Sequence, residues 1–102
     1  MRVAVAQPYT KLGDVTGNLV QVQELARQAS AVGCHVMLTP ETSLYGYSIP
    51  PEVLQQATTA NGPVADALLE TAQAESIAVI AGVYERDPQS DEIYISQFIA
   101  LP

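Results

Sequence analysis

The chain has 102 residues, 48% of them apolar, and a formal net charge of −7 from four basic and eleven acidic residues. The apolar share argues against a disordered chain, and the acidic charge argues against nucleic acid and anionic membrane surfaces as partners. No stretch approaches the ~20 apolar residues that span a bilayer. The opening apolar run is too short for a signal peptide, and the single cysteine cannot form an internal disulfide. We therefore expect at most one domain, located in the cytoplasm.

Apolar periodicity and turn residues predict alternating strands and helices along the whole chain. In chain order they predict a strand over residues 2–7, a helix over 18–32, a strand over 34–39, a short helical turn over 51–57, a helix over 63–75, a strand over 77–83, a polar turn over 86–92 and a strand over 93–101. Asn18 is the predicted cap of the first long helix. Small and β-branched residues predict that both faces of the first strand are covered. The strand–helix–strand spacing predicts parallel neighbouring strands and an α/β fold.

The last predicted strand is apolar on both faces and runs to the end of the sequence. Charged residues make up only 15% of the chain, below the roughly 25% usual for soluble domains. An apolar strand with an uncovered edge favours association. We therefore expect that the natural chain continues past Pro102, that residues 1–102 are a truncated domain, and that this piece alone self-associates or frays.

Glu41 is the leading candidate for a catalytic group. It follows Pro40 at the carboxyl end of a predicted parallel strand, and that end of the strands lines the ligand crevice in open α/β sheets. The proline restricts the backbone and so fixes where the carboxylate points. A solvated loop glutamate is the alternative interpretation, and position alone does not decide between the two.

Several short motifs, in order, resemble the opening of the nitrilase superfamily of carbon–nitrogen hydrolases. They are Gln7 at a strand end, Gly13-Asp14, Asn18-Leu19, Ala29, Gly33, Pro40-Glu41, Gly46-Tyr47, the strand end Gly82-Val83-Tyr84-Glu85-Arg86, and Tyr94-Ile95-Ser96, in which Ile95 replaces the usual asparagine. The resemblance covers the whole chain and is specific through the order and spacing of its parts. It implies the amino-terminal part of a nitrilase-like α-β-β-α sandwich, with the order β-α-β-(short helix)-α-β-β.

The resemblance implies cysteine-dependent hydrolysis of non-peptide carbon–nitrogen bonds, of the amidase, carbamoyl hydrolase or nitrilase type. In that chemistry a thiolate attacks an amide or nitrile carbon, a glutamate moves the proton, and a lysine stabilises the tetrahedral intermediate. The resemblance gives the general-base role to Glu41 and puts the nucleophilic cysteine and the lysine past Pro102, so we expect the isolated chain to be inactive. It also implies a small amide, carbamoyl or nitrile substrate, no cofactor, no metal, and a homo-oligomer in the full-length form.

One cysteine and one lysine in this chain imitate a complete catalytic set with Glu41. Cys34 and Glu41 lie at opposite ends of the same predicted strand, seven residues apart, which at ~3.3 Å per residue separates them by roughly 23 Å. A base must lie ~3 Å from its nucleophile. Cys34 is therefore interpreted as a small buried residue and Lys11 as a solvated one. His35 has no second histidine or nearby thiolate, so no metal site is predicted.

Tyr47 is the predicted substrate-binding residue, because it follows Glu41 in the Gly-Tyr motif that the resemblance includes. Packing of its loop against the core is the alternative for Tyr47, and more strongly for Tyr45. Three other functions stay open: a non-catalytic fragment or association partner, a small α/β module that binds an anion or nucleotide at residues 9–17, and an acyltransferase with the same catalytic set. The segment 13–17 lacks the Gly-x-Gly-x-x-Gly spacing of a dinucleotide site.

Overall fold

The computed structural model describes residues 1–102 and contains seven elements in the predicted order. They are β1 (Val3–Val5), α1 (Val15–Ala31), β2 (Val36–Leu38), α2 (Pro51–Leu54), α3 (Pro63–Glu75), β3 (Ala78–Arg86) and β4 (Ile93–Ala100). The α/β class and the order β-α-β-(short helix)-α-β-β are therefore confirmed. None of the helices has the length and apolar character needed to cross a membrane.

The four strands form one sheet in the order β1-β2-β3-β4. The pairs β1–β2 and β2–β3 are parallel, so the carboxyl ends of the first three strands meet at one edge of the sheet. The fourth strand returns antiparallel along the third, from Val79↔Ala100 to Arg86↔Ile93. This hairpin explains why β3 ends at Arg86 and not at residue 83 as predicted, since pairing with β4 keeps the polar end of the strand extended.

The two long helices cover one face of the sheet and pack against each other. Ser30 Oγ on α1 donates a hydrogen bond of 2.6 Å to the carbonyl of Glu75 on α3. The core between helices and sheet includes the buried side chains of Val22, Ala26, Met37, Leu68, Ala72, Ile77, Val79, Ala81 and Val83. Alternate residues of β3 thus point at the helices, as expected for a sheet with one covered face.

The other face of the sheet is covered at Gly82 and Tyr84 by the loop after β2 and is open along β1 and much of β4. On it Val3 and Val5 are 52% and 73% exposed, and Ile95 and Ile99 are 60% and 64% exposed. The prediction that both faces of the first strand are covered is therefore wrong for Val3 and Val5, because both long helices lie on the opposite side of the sheet. Exposed apolar area of this kind favours association, and the expected self-association of the chain stays a prediction.

The first helix begins earlier than predicted, and with a different cap. Asp14 is the cap, because its Oδ1 accepts a hydrogen bond of 3.1 Å from the Gly17 amide, and the helix starts at Val15. Asn18 is fully buried instead. Its carboxamide bonds to the β1–α1 loop (residues 6–14) and to the loop after β2. The predicted cap at Asn18 is thus wrong, since tertiary contacts use its side chain.

Three short elements are shorter than predicted. The first strand covers Val3–Val5 and not residues 2–7. The second strand covers Val36–Leu38 and not residues 34–39, because the Cys34 amide bonds back to the Ala29 carbonyl at 3.0 Å as the first helix ends. The short helix stops at Leu54 and not at residue 57. The second long helix has its predicted bounds, with its proline in the first turn.

Candidate functional site

Glu41 lies in the β2–α2 loop (residues 39–50), at the edge where the carboxyl ends of the parallel strands meet. Its residue is exposed, although the residues on both sides of it are not. Ligands of open α/β sheets bind at this edge. The carboxylate therefore stands where a substrate can reach it.

The loop that carries Glu41 is held against β3 at Gly82. The Gly82 carbonyl accepts from the Leu44 amide at 3.1 Å, and the Gly82 amide donates to Ser43 Oγ at 3.2 Å. A Cβ atom at Gly82 would lie 2.3 Å from the amide nitrogen of Thr42. Glycine is therefore required in this strand because of the close approach of the loop.

The residues after Glu41 turn inward and are buried from Thr42 to Tyr45. The Tyr45 ring packs against the Tyr84 ring, with centroids 5.2 Å apart and planes at 57°. The Tyr45 hydroxyl donates to the Gln56 carbonyl at 2.8 Å. Burial raises the pKa of Tyr45 to about 12. This tyrosine is a core residue, as its packing interpretation predicted, and not part of an open pocket.

Tyr84 is an aromatic side chain close to the Glu41 loop that sequence reasoning did not single out for the site. It is buried on β3, and its hydroxyl donates to the Gly46 carbonyl at 3.0 Å. Burial raises the pKa of Tyr84, and the negative charge of Glu41 adds a smaller contribution in the same direction. Its pairing partner across the hairpin is Ile95, on the open face of the sheet. Tyr84 thus underlies the Glu41 loop as a neutral hydroxyl.

Tyr47 lies further along the β2–α2 loop and is 73% exposed. No hydrogen bond or ring contact holds its side chain, in contrast to Tyr45. An exposed aromatic ring beside a ligand-binding edge is available for contact with a substrate, and that role for Tyr47 stays a prediction.

Cys34 and Glu41, two of the three residues that imitate a catalytic set, are not brought together by the fold. Cys34 precedes β2, whereas Glu41 follows it, so the two lie at opposite ends of that strand. Cys34, interpreted as a small buried residue, is partly buried against the core, and Lys11 is exposed, as predicted. The His35 Nδ1 atom accepts a hydrogen bond of 3.0 Å from the Arg2 amide. No cluster of three or more His, Cys, Asp or Glu side chains is arranged to hold a metal ion.

A large concavity of the chain lies away from Glu41. It has a volume of about 830 Å³ and lies between α3 and β4, with Leu68, Phe98 and Ala100 in its lining. Enzymes usually enclose most of a small substrate in a pocket. Glu41 instead stands at an open edge of these 102 residues.

Three groups that hold the Glu41 loop were missed by sequence reasoning: Thr39, Ser43 and Gly82. The available signals were two small hydroxyl residues placed symmetrically around Glu41, and a glycine inside an apolar strand. A glycine within a strand often marks a close backbone approach. Neither signal identifies its partner, because the groups that meet are 39 residues apart along the chain.

The sequence matches the model of the carbon–nitrogen hydrolase family over residues 2–100. A comparison with curated proteins gave no match. Among solved structures, the chain is similar to XC1258 from Xanthomonas campestris, a CN-hydrolase superfamily protein, with a TM-score of 0.85 and 22% identity over 100% of this chain and 37% of that one. It is also similar to an amidase from Nesterenkonia sp., with a TM-score of 0.79 and 26% identity over 98% of this chain and 38% of that one.

A third similar structure is an N-terminal amidase with a Gln-Val peptide, with a TM-score of 0.76 and 21% identity over 95% of this chain and 24% of that one. The chain thus spans well under half the length of each of these proteins. Their likeness confirms the nitrilase-like fold. Because the family model matches nearly the whole sequence, the chain belongs to the carbon–nitrogen hydrolase family.

Proposed function

We propose that this chain forms the amino-terminal part of a domain that hydrolyses non-peptide carbon–nitrogen bonds, with Glu41 as the general base. The observation that carries the proposal is the exposed Glu41 residue near the carboxyl end of a parallel strand. Thr39 and Ser43, two residues before and after it, are hydrogen-bonded to each other and to β3. A general base needs both access to the reacting groups and a fixed direction. Glu41 combines the two.

The similar amidase from Nesterenkonia sp. supports this chemistry. One structure of that enzyme, 25% identical over 98% of this chain, is a glutamate-to-glutamine variant in which acrylamide has undergone Michael addition at the active-site cysteine. A cysteine nucleophile is activated by a base that takes its proton. Cys34 lies at the wrong end of β2 to meet Glu41, so the nucleophile in our proposal comes from residues outside these 102.

Glu41 has two tasks in the proposed reaction. Its carboxylate takes the thiol proton as the sulfur attacks the amide, carbamoyl or nitrile carbon. With an amide or carbamoyl substrate, the protonated carboxyl group then gives that proton to the departing amine, which leaves a thioester on the cysteine, while a lysine, also outside these residues, stabilises the oxyanion. With a nitrile, the attack gives a thioimidate, which takes up water before ammonia leaves. Water that gives a proton to the Glu41 carboxylate then hydrolyses the thioester, which releases the acid and returns the thiol. Tyr47, exposed on the same loop, is proposed to contact the small substrate. The full-length form is proposed to be a homo-oligomer that needs no cofactor or metal.

An anion-binding module is an alternative that the β1–α1 loop argues against. Four of its amides already have partners within the chain: Tyr9 N donates to Gln21 Oε1, Lys11 N to Asn18 Oδ1, Gly13 N to the Tyr45 carbonyl, and Asp14 N to the Lys11 carbonyl. The Asp14 carboxylate caps the helix end at which an anion would bind. An anion would therefore have to displace bonds that the fold already makes.

The test uses the product of the complete reading frame that contains these residues. Ammonia release from a panel of simple amides and nitriles is measured for the wild type, Glu41→Gln and Glu70→Gln. Glutamine keeps the shape of glutamate but cannot take a proton, so we expect Glu41→Gln to lower kcat by about 10²–10⁴-fold with an unchanged unfolding midpoint. Glu70, exposed on α3, is the matched control, and its variant should keep wild-type turnover.

Wild-type turnover in Glu41→Gln would remove Glu41 from the mechanism. Wild-type protein that turns over none of the substrates would favour the two remaining alternatives, a non-catalytic association partner or an acyltransferase with the same catalytic set. The 102-residue chain by itself is expected to be inactive. Turnover that disappears in its Cys34→Ala variant would contradict that expectation.

A further inference from the structure

Glu41 lies at the centre of a hydrogen-bonded connection that begins and ends on β3. The residues two positions before and two positions after it, Thr39 and Ser43, are buried, with 2% and 3% of their surface exposed. Their hydroxyl oxygens are 2.6 Å apart. We call this pair the hydroxyl bridge. It joins the two ends of the short segment whose middle residue is Glu41.

One arrangement of the hydroxyl protons satisfies every group that the hydroxyl bridge touches. The Gly82 amide donates to Ser43 Oγ at 3.2 Å, Ser43 donates to Thr39, and Thr39 donates to the Ile80 carbonyl at 3.1 Å. Each hydroxyl then donates once and accepts once. Consecutive bonds of this kind strengthen one another in a buried setting. The Thr39 amide also donates to the Ile80 carbonyl, at 2.9 Å.

Gly82 brings the backbone of Glu41 itself into contact with β3. A Cβ at this position would lie 2.3 Å from Thr42 N, 2.6 Å from Pro40 O and 2.8 Å from Glu41 C. These three atoms belong to the two peptide groups on either side of the Glu41 side chain. Both peptide groups therefore lie on the bare surface of Gly82, where any larger residue would displace them.

The hydroxyl bridge also encloses a backbone conformation that its residue disfavours. Thr42 has a φ of 52°, in the left-handed region, which a β-branched side chain rarely adopts. Residues of this kind persist only where the surroundings fix them, and they concentrate at functional sites. Thr42 directly follows Glu41, so its conformation sets the turn that the backbone makes immediately after Glu41.

Attachment of the loop to the fold does not by itself require these hydroxyls. Leu44 and Tyr45 are 0% exposed and pack in the core, and the Leu44 amide bonds to the Gly82 carbonyl. The buried hydroxyl pair is confined to the two positions that flank Glu41. This location is the one expected if the hydroxyl bridge serves to fix the direction of Glu41.

We infer that Thr39, Ser43 and Gly82 are positioning residues for Glu41: the hydroxyl bridge and the bare glycine surface together fix the direction of its carboxylate. This inference rests on the proposed role of Glu41 as general base. Misplacement of a reacting group by about 1 Å can cost about 100-fold in rate. Loss of the Ser43 hydroxyl is therefore expected to lower kcat by about 10- to 100-fold while KM stays unchanged.

The test compares Ser43→Ala with Thr71→Ala in the product of the complete reading frame. Thr71 is a matched control, because it is also buried and its hydroxyl donates to the Ala67 carbonyl at 2.7 Å. Each variant is measured alone and with Glu41→Gln. We expect Ser43→Ala to lower kcat alone and to cause no further loss beside Glu41→Gln. Thr71→Ala should leave kcat unchanged.

A second readout does not depend on turnover. The NMR order parameter of the Glu41 amide is expected to fall in Ser43→Ala from about 0.85 toward about 0.6, the change from a rigid to a flexible backbone. It should stay unchanged in Thr71→Ala. Wild-type kcat and a wild-type order parameter in Ser43→Ala would overturn the inference even if Glu41→Gln is inactive. If Glu41→Gln keeps wild-type turnover, the proposed function fails, and the order parameter decides whether the hydroxyl bridge fixes Glu41.

Discussion

The loops that follow β1 and β2 reach the same edge of the sheet but are built in opposite ways. In the β1–α1 loop, Tyr9 is 93% exposed and Leu12 is 49% exposed. In the β2–α2 loop, the four residues from Thr42 to Tyr45 are all buried. The first loop exposes these side chains, whereas residues 42–45 of the second insert into the fold and leave Glu41 exposed before them and Tyr47 exposed after them. The buried contacts of these two loops are therefore concentrated in the loop that carries Glu41.

The β1–α1 loop and the start of α1 also support the β2–α2 loop from the side away from β3. Three successive carbonyls accept hydrogen bonds from this region: Ser43 from Thr10 Oγ1 at 2.7 Å, Leu44 from Asn18 Nδ2 at 3.0 Å, and Tyr45 from the Gly13 amide at 3.0 Å. The other edge of the same segment bonds to Gly82. The inserted segment is thus held along both edges of its backbone.

The largest expected effect comes from Asn18, which joins the two loops. Its Nδ2 donates to the Lys11 and Leu44 carbonyls at 2.8 and 3.0 Å, and its Oδ1 accepts from the Lys11 amide at 2.8 Å. Asn18→Ala removes three bonds from largely buried groups, so we expect the free energy of unfolding to fall by about 3 kcal/mol. Asp14→Ala loses one exposed cap bond, which costs about 1 kcal/mol.

Urea unfolding of the two variants measures this difference directly. An equal cost for Asn18→Ala and Asp14→Ala would mean that Asn18 contributes no more than a second helix cap. Asn18 would then not be a main support of the β2–α2 loop by the β1–α1 loop.

The same residue shows what the sequence can predict and what it cannot. The order of elements, the parallel pairing and the bounds of α3 follow from local patterns of apolar residues, proline and glycine, and these are confirmed. Asn18 and Asp14 are equally good helix caps by residue type. The choice between them depends on Lys11 and Leu44, and no local pattern shows that a distant carbonyl, 26 residues away for Leu44, will meet the carboxamide.

The candidate site divides in the same way. The place of Glu41 is predictable, because Pro40-Glu41 follows a strand and belongs to a motif with a fixed neighbourhood, whereas its role stays a prediction. The contact between Gly82 and the peptide groups of Glu41 is not predictable, since it arises only when β3 pairs beside β2. Covering of the first strand was predicted wrongly for a related reason: apolar residues on both faces of a strand do not say which face the chain itself covers.

The next prediction compares two glycines that differ in what surrounds them. A Cβ at Gly82 would lie 2.3 Å from the backbone nitrogen of Thr42, and a Cβ at Gly17 would lie 2.3 Å from the carboxylate of Asp14. A side-chain carboxylate can rotate away, whereas the backbone can yield only if the β2–α2 loop moves. We expect Gly82→Ala to lower the free energy of unfolding by about 2 kcal/mol.

Gly17→Ala should change stability by less than about 1 kcal/mol, because the better helix propensity of alanine offsets the disturbed cap. Guanidinium unfolding midpoints of the two variants provide the measurement. Similar losses in both would show that the β2–α2 loop adapts as easily as an exposed side chain, contrary to its description as the fixed loop.

The smallest expected effect concerns the hydroxyl of Tyr45. Tyr45→Phe removes its bond to the Gln56 carbonyl and keeps the ring, so we expect a loss of about 1 kcal/mol in the free energy of unfolding. Tyr47→Phe is the matched control two positions further along the same loop, and its exposed side chain should make the change neutral. Thermal unfolding of the two variants tests this pair.

The same hydroxyl predicts how stability depends on pH. Burial raises the pKa of Tyr45 from 10.0 to about 12 in the folded chain. Between these values the unfolded chain has released the phenolic proton and the folded chain has kept it, so stability falls as the pH rises. The contribution is fully present below pH 10 and is lost as the pH rises through 12. Unfolding midpoints across this window should therefore fall more steeply in the wild type than in Tyr45→Phe. Parallel curves would mean that water reaches the Tyr45 hydroxyl, and that the β2–α2 loop is less closed than its buried segment indicates.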